Sequence, residues 1–259
     1  MSISRPYVRN CRMFLDGTYS RSGTWMYIQH PAYAKSPEQY IRAFKIILKD
    51  LQKVFDYVEP ADINLKAYSF RIHELLMRVC IEVEANFKAI LLENEYQKDE
   101  VLLEMKDYKK IEKTHRLSSY QVKIPHWYGT KSIRTPFRTW SRPEMFSPAW
   151  YQAYNKTKHN RHEHFHYANF ENLIDATCGL VVLLSSQFLT EEFSSEGELI
   201  SIGNPAIDGM ESAIGKYFKI KFPDDWPNEE RYDFAYKDWQ VMAIEQDPFQ
   251  KIDYMQITI

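Results

Sequence analysis

Apolar positions recur at helical spacing in five stretches of this chain and alternate with polar ones in a few shorter runs. The first helical stretch opens with Ser36 as a natural N-cap, Pro37 at the first helical position and Gln39 completing a capping box. Ile41, Phe44, Ile47, Leu48, Leu51, Val54 and Phe55 keep one face apolar until Pro60 stops the helix. A second helix is expected from Leu65 or Tyr68 to about Glu95. At about 100° per residue, its Ile72, Leu76, Val79, Val83, Phe87 and Ile90 make a broad apolar face. Arg71, Glu74, Arg78 and Glu82 make a narrow charged stripe, with Leu75 on one flank and Met77 and Ile81 on the other. Such a stripe is either partly buried and internally paired or a solvated ladder of ion pairs. Asp99 to His115 predicts a third helix packed by one narrow face, through Val101, Leu102, Met105, Tyr108 and Ile111. Ser147-Pro148 starts a fourth helix, and Asn169 to about Leu189 forms a fifth that is apolar nearly all round and so central to the core.

Between the third and fourth helices, Tyr120 to Ile124 and Ser132 to Trp140 alternate around Pro125 and Gly129. This predicts a β-hairpin, with Pro136 placing it at a sheet edge. Residues 1–35 read as an irregular arm, with Met26 to Ile28 as a short strand, and Thr190 to Pro205 reads as a linker or long loop. Three further strands are expected at Tyr217–Phe222, Trp239–Ile244 and Tyr254–Ile259. The expected fold is mainly α: an arm (1–35), a helical domain (36–195) with a hairpin insertion near 119–142, and a C-terminal β-rich extension (196–259).

Composition narrows the function classes. The 18 Tyr, 15 Phe and 6 Trp argue for a packed core or interface and against disorder. A net charge of −2 gives no broad basic field, so a nucleic acid would have to be met by a local patch. Three widely spaced cysteines imply no disulfide framework and a reducing cytoplasm. Neither a signal peptide nor a membrane span is expected, since the longest apolar run is only Leu180 to Leu184. No phosphate-binding loop, dinucleotide fingerprint or hydrolase elbow occurs, and no cofactor is expected.

Candidate chemistry concentrates in Tyr154 to His166, which holds four of the eight histidines. Asn155 and His159 share a helix face, with Lys158 beside them and Arg161 one turn on. A histidine can take the proton of a ribose 2′-OH, and a cation can neutralise the phosphate under attack. These are parts for metal-independent RNA cleavage. Lys131, Arg134, Arg138 and Arg142, interleaved with Phe137 and Trp140, are suited to grip RNA by charge and stacking, or simply to protect an edge hairpin. His162-Glu163-His164-Phe165-His166 also fits the zinc-hydrolase spacing HExxH, but its flanks are polar and no extended third ligand follows. No metal site is therefore assigned. A solvated polar face beside a core helix remains the plain alternative.

The segments Arg71 to Glu82 and Trp150 to Arg161, followed by the apolar Phe170–Leu189 helix, resemble the HEPN superfamily (higher eukaryotes and prokaryotes nucleotide-binding) over roughly residues 64–190. The resemblance implies a helical bundle, often a ribonuclease of toxin or defence systems, with an arginine, a polar residue and a histidine spaced R-x4–6-H and completed across a homodimer. It also implies that Arg78 and Glu82, supported by Glu74 in the same polar stripe, face the Tyr154–His159 helix, and that the 154–166 segments of two copies meet. The chain departs from the motif where it is most similar, having Asn155 four residues before His159. The motif occurs literally one turn later, from Arg161 to His166. Two other classes compete with this reading: a non-catalytic interaction or scaffolding protein on the same bundle, and a metal-dependent hydrolase using His162 and His166.

Overall fold

The structure is a computed structural model that describes residues 2–144, 147–193 and 209–259. The fold is mainly α, with eight α-helices and a small antiparallel sheet of four strands among the described residues. In chain order these are α1 (Pro37–Phe55), α2 (Phe70–Glu93), α3 (Met105–Lys109), α4 (Glu112–His115), β1 (Gln121–Lys123), β2 (Ile133–Arg134), α5 (Ala149–His159), α6 (Arg161–His164), α7 (Phe170–Phe188), β3 (Glu211–Ser212), β4 (Lys219–Lys221) and α8 (Tyr236–Met242). No helix among the described residues is long and apolar enough to cross a membrane.

The centre is α7. Its side chains from Ala176 to Phe188 are buried without interruption, because α2, α5, α1 and β1 surround it. Ser69 and Asn169 cap α2 and α7 by accepting from the backbone N–H of Ile72 and Asn172, as short polar N-caps do. Ser36 does not: it adopts a left-handed conformation and its side chain caps nothing, so the expected capping box with Gln39 is not formed, although Pro37 does start α1. Gly179 lets α5 approach α7, since a Cβ there would stand 3.1 Å from the Trp150 ring.

The predicted hairpin is present, with Val122 opposite Arg134 and Lys123 opposite Ile133. It does not stand alone. β4 adds to the other side of β1, giving the order β2-β1-β4-β3, with β2 and β3 at the edges. Of the three expected C-terminal strands, only Tyr217–Phe222 contains one. Trp239–Ile244 instead begins in α8, where Asp238 accepts from the Ala235 N–H and buries Trp239 and Met242 three residues apart. Tyr254 to Ile259 forms no strand; Tyr254 is buried against Thr114. The predicted third helix breaks into a 3-10 turn at Glu100–Leu102 and then α3 and α4. Asp107 starts α3 afresh: its carboxylate accepts from the Glu104 N–H (3.0 Å), the Tyr96 hydroxyl (2.9 Å) and Lys98 (2.6 Å).

Residues 2–35 are threaded through the core rather than hanging as a free arm. Met26 to Ile28 lies in a 3-10 helix, not a strand, and buries Tyr27 and Ile28. Ile3 and Phe14 both bridge to Tyr232, and Tyr7 bridges to Gln250, so the first and last segments lie side by side. Arg9 is fully buried, bonded to Gln187 (2.8 Å) and Glu93 (2.8 Å) and placed over the Tyr40 ring (4.8 Å). Thr190 and Glu191 are also buried, so the chain stays against the core past α7; the rest of the expected linker, from residue 194 on, lies outside the described residues.

Candidate functional site

A cleft of about 780 Å³ opens between one face of α5 and the start of α7. Ala149, Gln152, Ala153 and Lys156 line it from α5, at the three- and four-residue spacing of a single helix face. Lys66 and Tyr68 close one end, and His166, Tyr167, Glu171, Asn172 and Asp175 form the opposite wall. The wall is fixed by backbone pairing: Phe170 N–H donates to Ala67 (2.8 Å) and Glu171 N–H to Leu65 (2.9 Å). Asn172 adds a side-chain bond to the Tyr167 carbonyl at 2.8 Å.

The hairpin loop braces this wall from behind. Asp62 accepts from the Trp127 indole (2.7 Å) and from the backbone of Thr130 (2.8 Å) and Lys131 (3.1 Å). Those bonds hold its carboxyl down to about 2, the indole contributing most. The carboxylate leaves no space beside Gly129, where a Cβ would stand 2.4 Å from it and φ is +127°. Trp127 stacks on Phe170, and Arg134 lies over Trp127 at 4.9 Å. Arg134 then reaches Asp175 at 3.2 Å, while Lys131 reaches Glu171 at 3.4 Å.

Two carboxylates of the cleft are thereby driven apart. Burial alone would raise Glu171, but Lys66 (2.6 Å) and Lys131 more than offset it and its pKa is lowered. At Asp175 burial dominates; Arg134 offsets it only in part, and the charge of Glu171 adds to it, so the pKa rises to about 6. A carboxyl with a pKa near neutrality in a cleft can exchange a proton during a reaction. Lys156 lies 4.5 Å over the Tyr167 ring, which His166 also flanks.

The residues expected from sequence are divided by the fold. His166 lines the cleft. Asn155, Lys158 and His159 do not: Lys158 turns to the Tyr154 hydroxyl (3.2 Å), and His159 is exposed in the last turn of α5. Arg161 lies over Phe70 at 5.5 Å and close enough to His73 to help lower its pKa, after burial. The literal motif therefore splits, with Arg161 beside α2 and His166 in the cleft. His162 and His166 do not share a helix face either, because α6 ends at His164 and gives way to a 3-10 turn. No group of three or more His, Cys, Asp or Glu suited to a metal ion occurs among the described residues.

The charged stripe of α2 faces elsewhere than the resemblance implied. Arg78 pairs with Asp50 of α1 at 2.6 Å, and with Arg71 and Glu74 it lines a separate groove of about 450 Å³ between α1 and α2. What α2 turns toward α5 is His73, bonded to the Thr157 backbone, and Glu84, which accepts from Tyr151 at 2.7 Å. These positions lie roughly 140° round the helix from the stripe. In the basic stretch, Arg134 is buried and Phe137 and Trp140 belong to the core, so neither ring is free to stack on a base; Arg138 and Arg142 are exposed, outside the cleft. Asp175 and Tyr68 are not among the site residues expected from sequence, and Lys156, within the histidine stretch, is given no role there. The available signal was Asp175 itself, an acid standing in an otherwise apolar helix four residues after Glu171. No protein-family model matches the chain, and neither curated proteins nor solved structures yield a match.

Proposed function

We propose that the protein binds single-stranded RNA in the cleft between α5 and α7 and cuts it there without a metal. The observation that carries this reading is the meeting of Asp175 and His166 with Lys156, the exposed Tyr68 ring and Tyr167, over which Lys156 lies, in one cleft. Tyrosines offer stacking surfaces to bases and lysines offer charge to the backbone. Asp175 takes the proton of a ribose 2′-OH; the alkoxide attacks the adjoining phosphorus; the bond to the 5′-oxygen breaks and His166 protonates that oxygen. The products are a 2′,3′-cyclic phosphate and a 5′-hydroxyl. The HEPN resemblance and a defence role remain part of this reading, supported by the packing of α2 and α5 on α7 rather than by the stripe. Three buried free thiols agree with a cytoplasmic location.

The test is cleavage of a short single-stranded RNA panel in chelator, with end-group analysis. Cyclic phosphate ends, and loss of a pH dependence near 6 in Asp175→Asn, are expected. RNA that neither binds nor is cut would sink the proposal. A second reading, a non-catalytic helical interaction protein, is favoured by the open apolar face of α2, which also supports a homodimer better than the histidine segment does.

A further inference from the structure

Three sides of α2 are taken. Val79 and Val83 face α7, Glu84 faces α5, and Leu75 and Arg78 face α1. The fourth side is only partly covered: Phe165 and Arg161 lie against Phe70, Ile81 lines a shallow groove with Ala43 and Ile47 of α1, and Glu74 pairs with Arg71 at 3.1 Å. It stays open and apolar at its centre and ends, with Ile81 54% exposed, Phe70 65% and Leu92 37%. An apolar side chain left open in the middle of a helix marks a contact surface more often when it belongs to a stripe than when it stands alone.

The stripe is symmetric. Ile81 lies at the midpoint of the 24-residue helix. Four residues to either side stand Met77 and Ala85; seven to either side, Glu74 and Lys88; eleven to either side, Phe70 and Leu92. All fall within about 40° of Ile81 around the helix at about 100° per residue. A twofold axis through Ile81 would therefore set apolar against apolar at the centre and both ends, and Glu74 against Lys88 of the other copy. The surface extends past one end, where Val101 (82% exposed) and Leu102 (62%) follow Glu100, whose carboxylate meets Lys88 at 3.4 Å. The aromatic end of one helix thus meets the aliphatic end of the other, widening the contact toward the roughly 1,200–2,000 Å² of a stable interface.

We infer that this face of α2 binds a second copy of the chain, antiparallel, with Ile81 on the twofold axis. A self-complementary patch is what an isologous dimer needs. The inference rests on the homodimer reading but not on RNA cleavage. It sets the two clefts at opposite ends of the α2 pair, not together at the histidine segments, because the helix is about 33 Å from Phe70 to Leu92.

Sedimentation of the full chain across micromolar concentrations tests it. The wild type should dimerise. Ile81→Glu, which sets two carboxylates on the axis, should raise the dimer Kd by a hundredfold or more, on the order expected for like charges brought together. Glu74→Lys and Lys88→Glu should each raise it by roughly tenfold, and the double exchange should restore it. Under mild oxidation Ile81→Cys should cross-link to itself and Glu74→Cys should not, since the 74 positions lie about 21 Å apart along the pair; the native cysteines are buried and stay out of the reaction. A monomeric wild type, a dimer indifferent to Ile81→Glu, or a double exchange no tighter than the single variants would overturn the inference. RNA cleavage by a monomer would still leave the cleft reading standing.

Discussion

Around His115 the polar groups are buried and answer one another; around His166 they line an open cleft and face solvent. His115 Nε2 meets the Arg9 carbonyl at 2.8 Å, and its Nδ1 meets the Asn10 amide (3.0 Å) and the Thr114 hydroxyl (2.8 Å). Thr114 continues to Tyr254, and Asn10 to Arg12. This network ties the first, middle and last segments of the chain together. Burial drives the His115 pKa down to about 3, so the ring is neutral and acts as a fixed donor and acceptor. In the cleft burial acts on both carboxyls, but Lys66 and Lys131 outweigh it at Glu171, whereas at Asp175 it prevails and brings the pKa up to about 6, where the group can change state. The same desolvation makes one group inert and the other responsive; what differs is whether the group opens on a cleft.

His166→Ala should slow RNA cleavage by roughly 10²–10⁴-fold, the usual scale for an acid–base group, while His159→Ala leaves the rate within about twofold. The reverse result in single-turnover kinetics would return the chemistry to the end of α5. His115→Ala should instead cost about 2–4 kcal/mol of stability in urea unfolding, since it orphans partners that water cannot reach.

The pH dependence sharpens the contrast. The folded pKa of His115 lies below the ordinary 6.5, so protons favour the unfolded chain between those values. Its stabilising effect is complete above about pH 6.5 and is lost as pH falls toward 3, at up to ~1.4 kcal/mol per pH unit. Unfolding curves at pH 7 and pH 4.5 should therefore converge in His115→Ala relative to wild type. For Asp175 the sign is opposite: its folded pKa is raised, so it disfavours the fold above about 6 and the penalty disappears as pH falls below the ordinary 3.8. Asp175→Asn should gain a little stability at pH 7 while losing activity.

Smaller effects follow. Lys156→Ala should weaken RNA binding a few-fold and lower the salt slope by about one ion, read by fluorescence anisotropy at several salt concentrations. His162→Ala, at an exposed position outside the cleft, should alter stability by less than about 0.5 kcal/mol and leave binding unchanged. A large effect there would show that the segment contributes more than a solvated face.

Periodicity alone determined α1, α2, α5 and α7 and the hairpin, because each is set by local spacing, a proline or a capping residue. It also marked α7 as central, since a helix apolar all round has nowhere else to go. It misassigned Trp239–Ile244, whose short apolar run suits a strand or a helix equally until a neighbour chooses. The site shows the same division. Sequence drew attention to Tyr154–His166 because histidines cluster there, but clustering along the chain does not say which way each side chain points. Only the tertiary structure decided that His166 and Asp175 share a cleft, that Arg78 turns to Asp50, and that Phe137 and Trp140 are core. Those outcomes depend on which faces of α2, α5 and α7 pack together, and that choice is made by long-range burial, which no local spacing records.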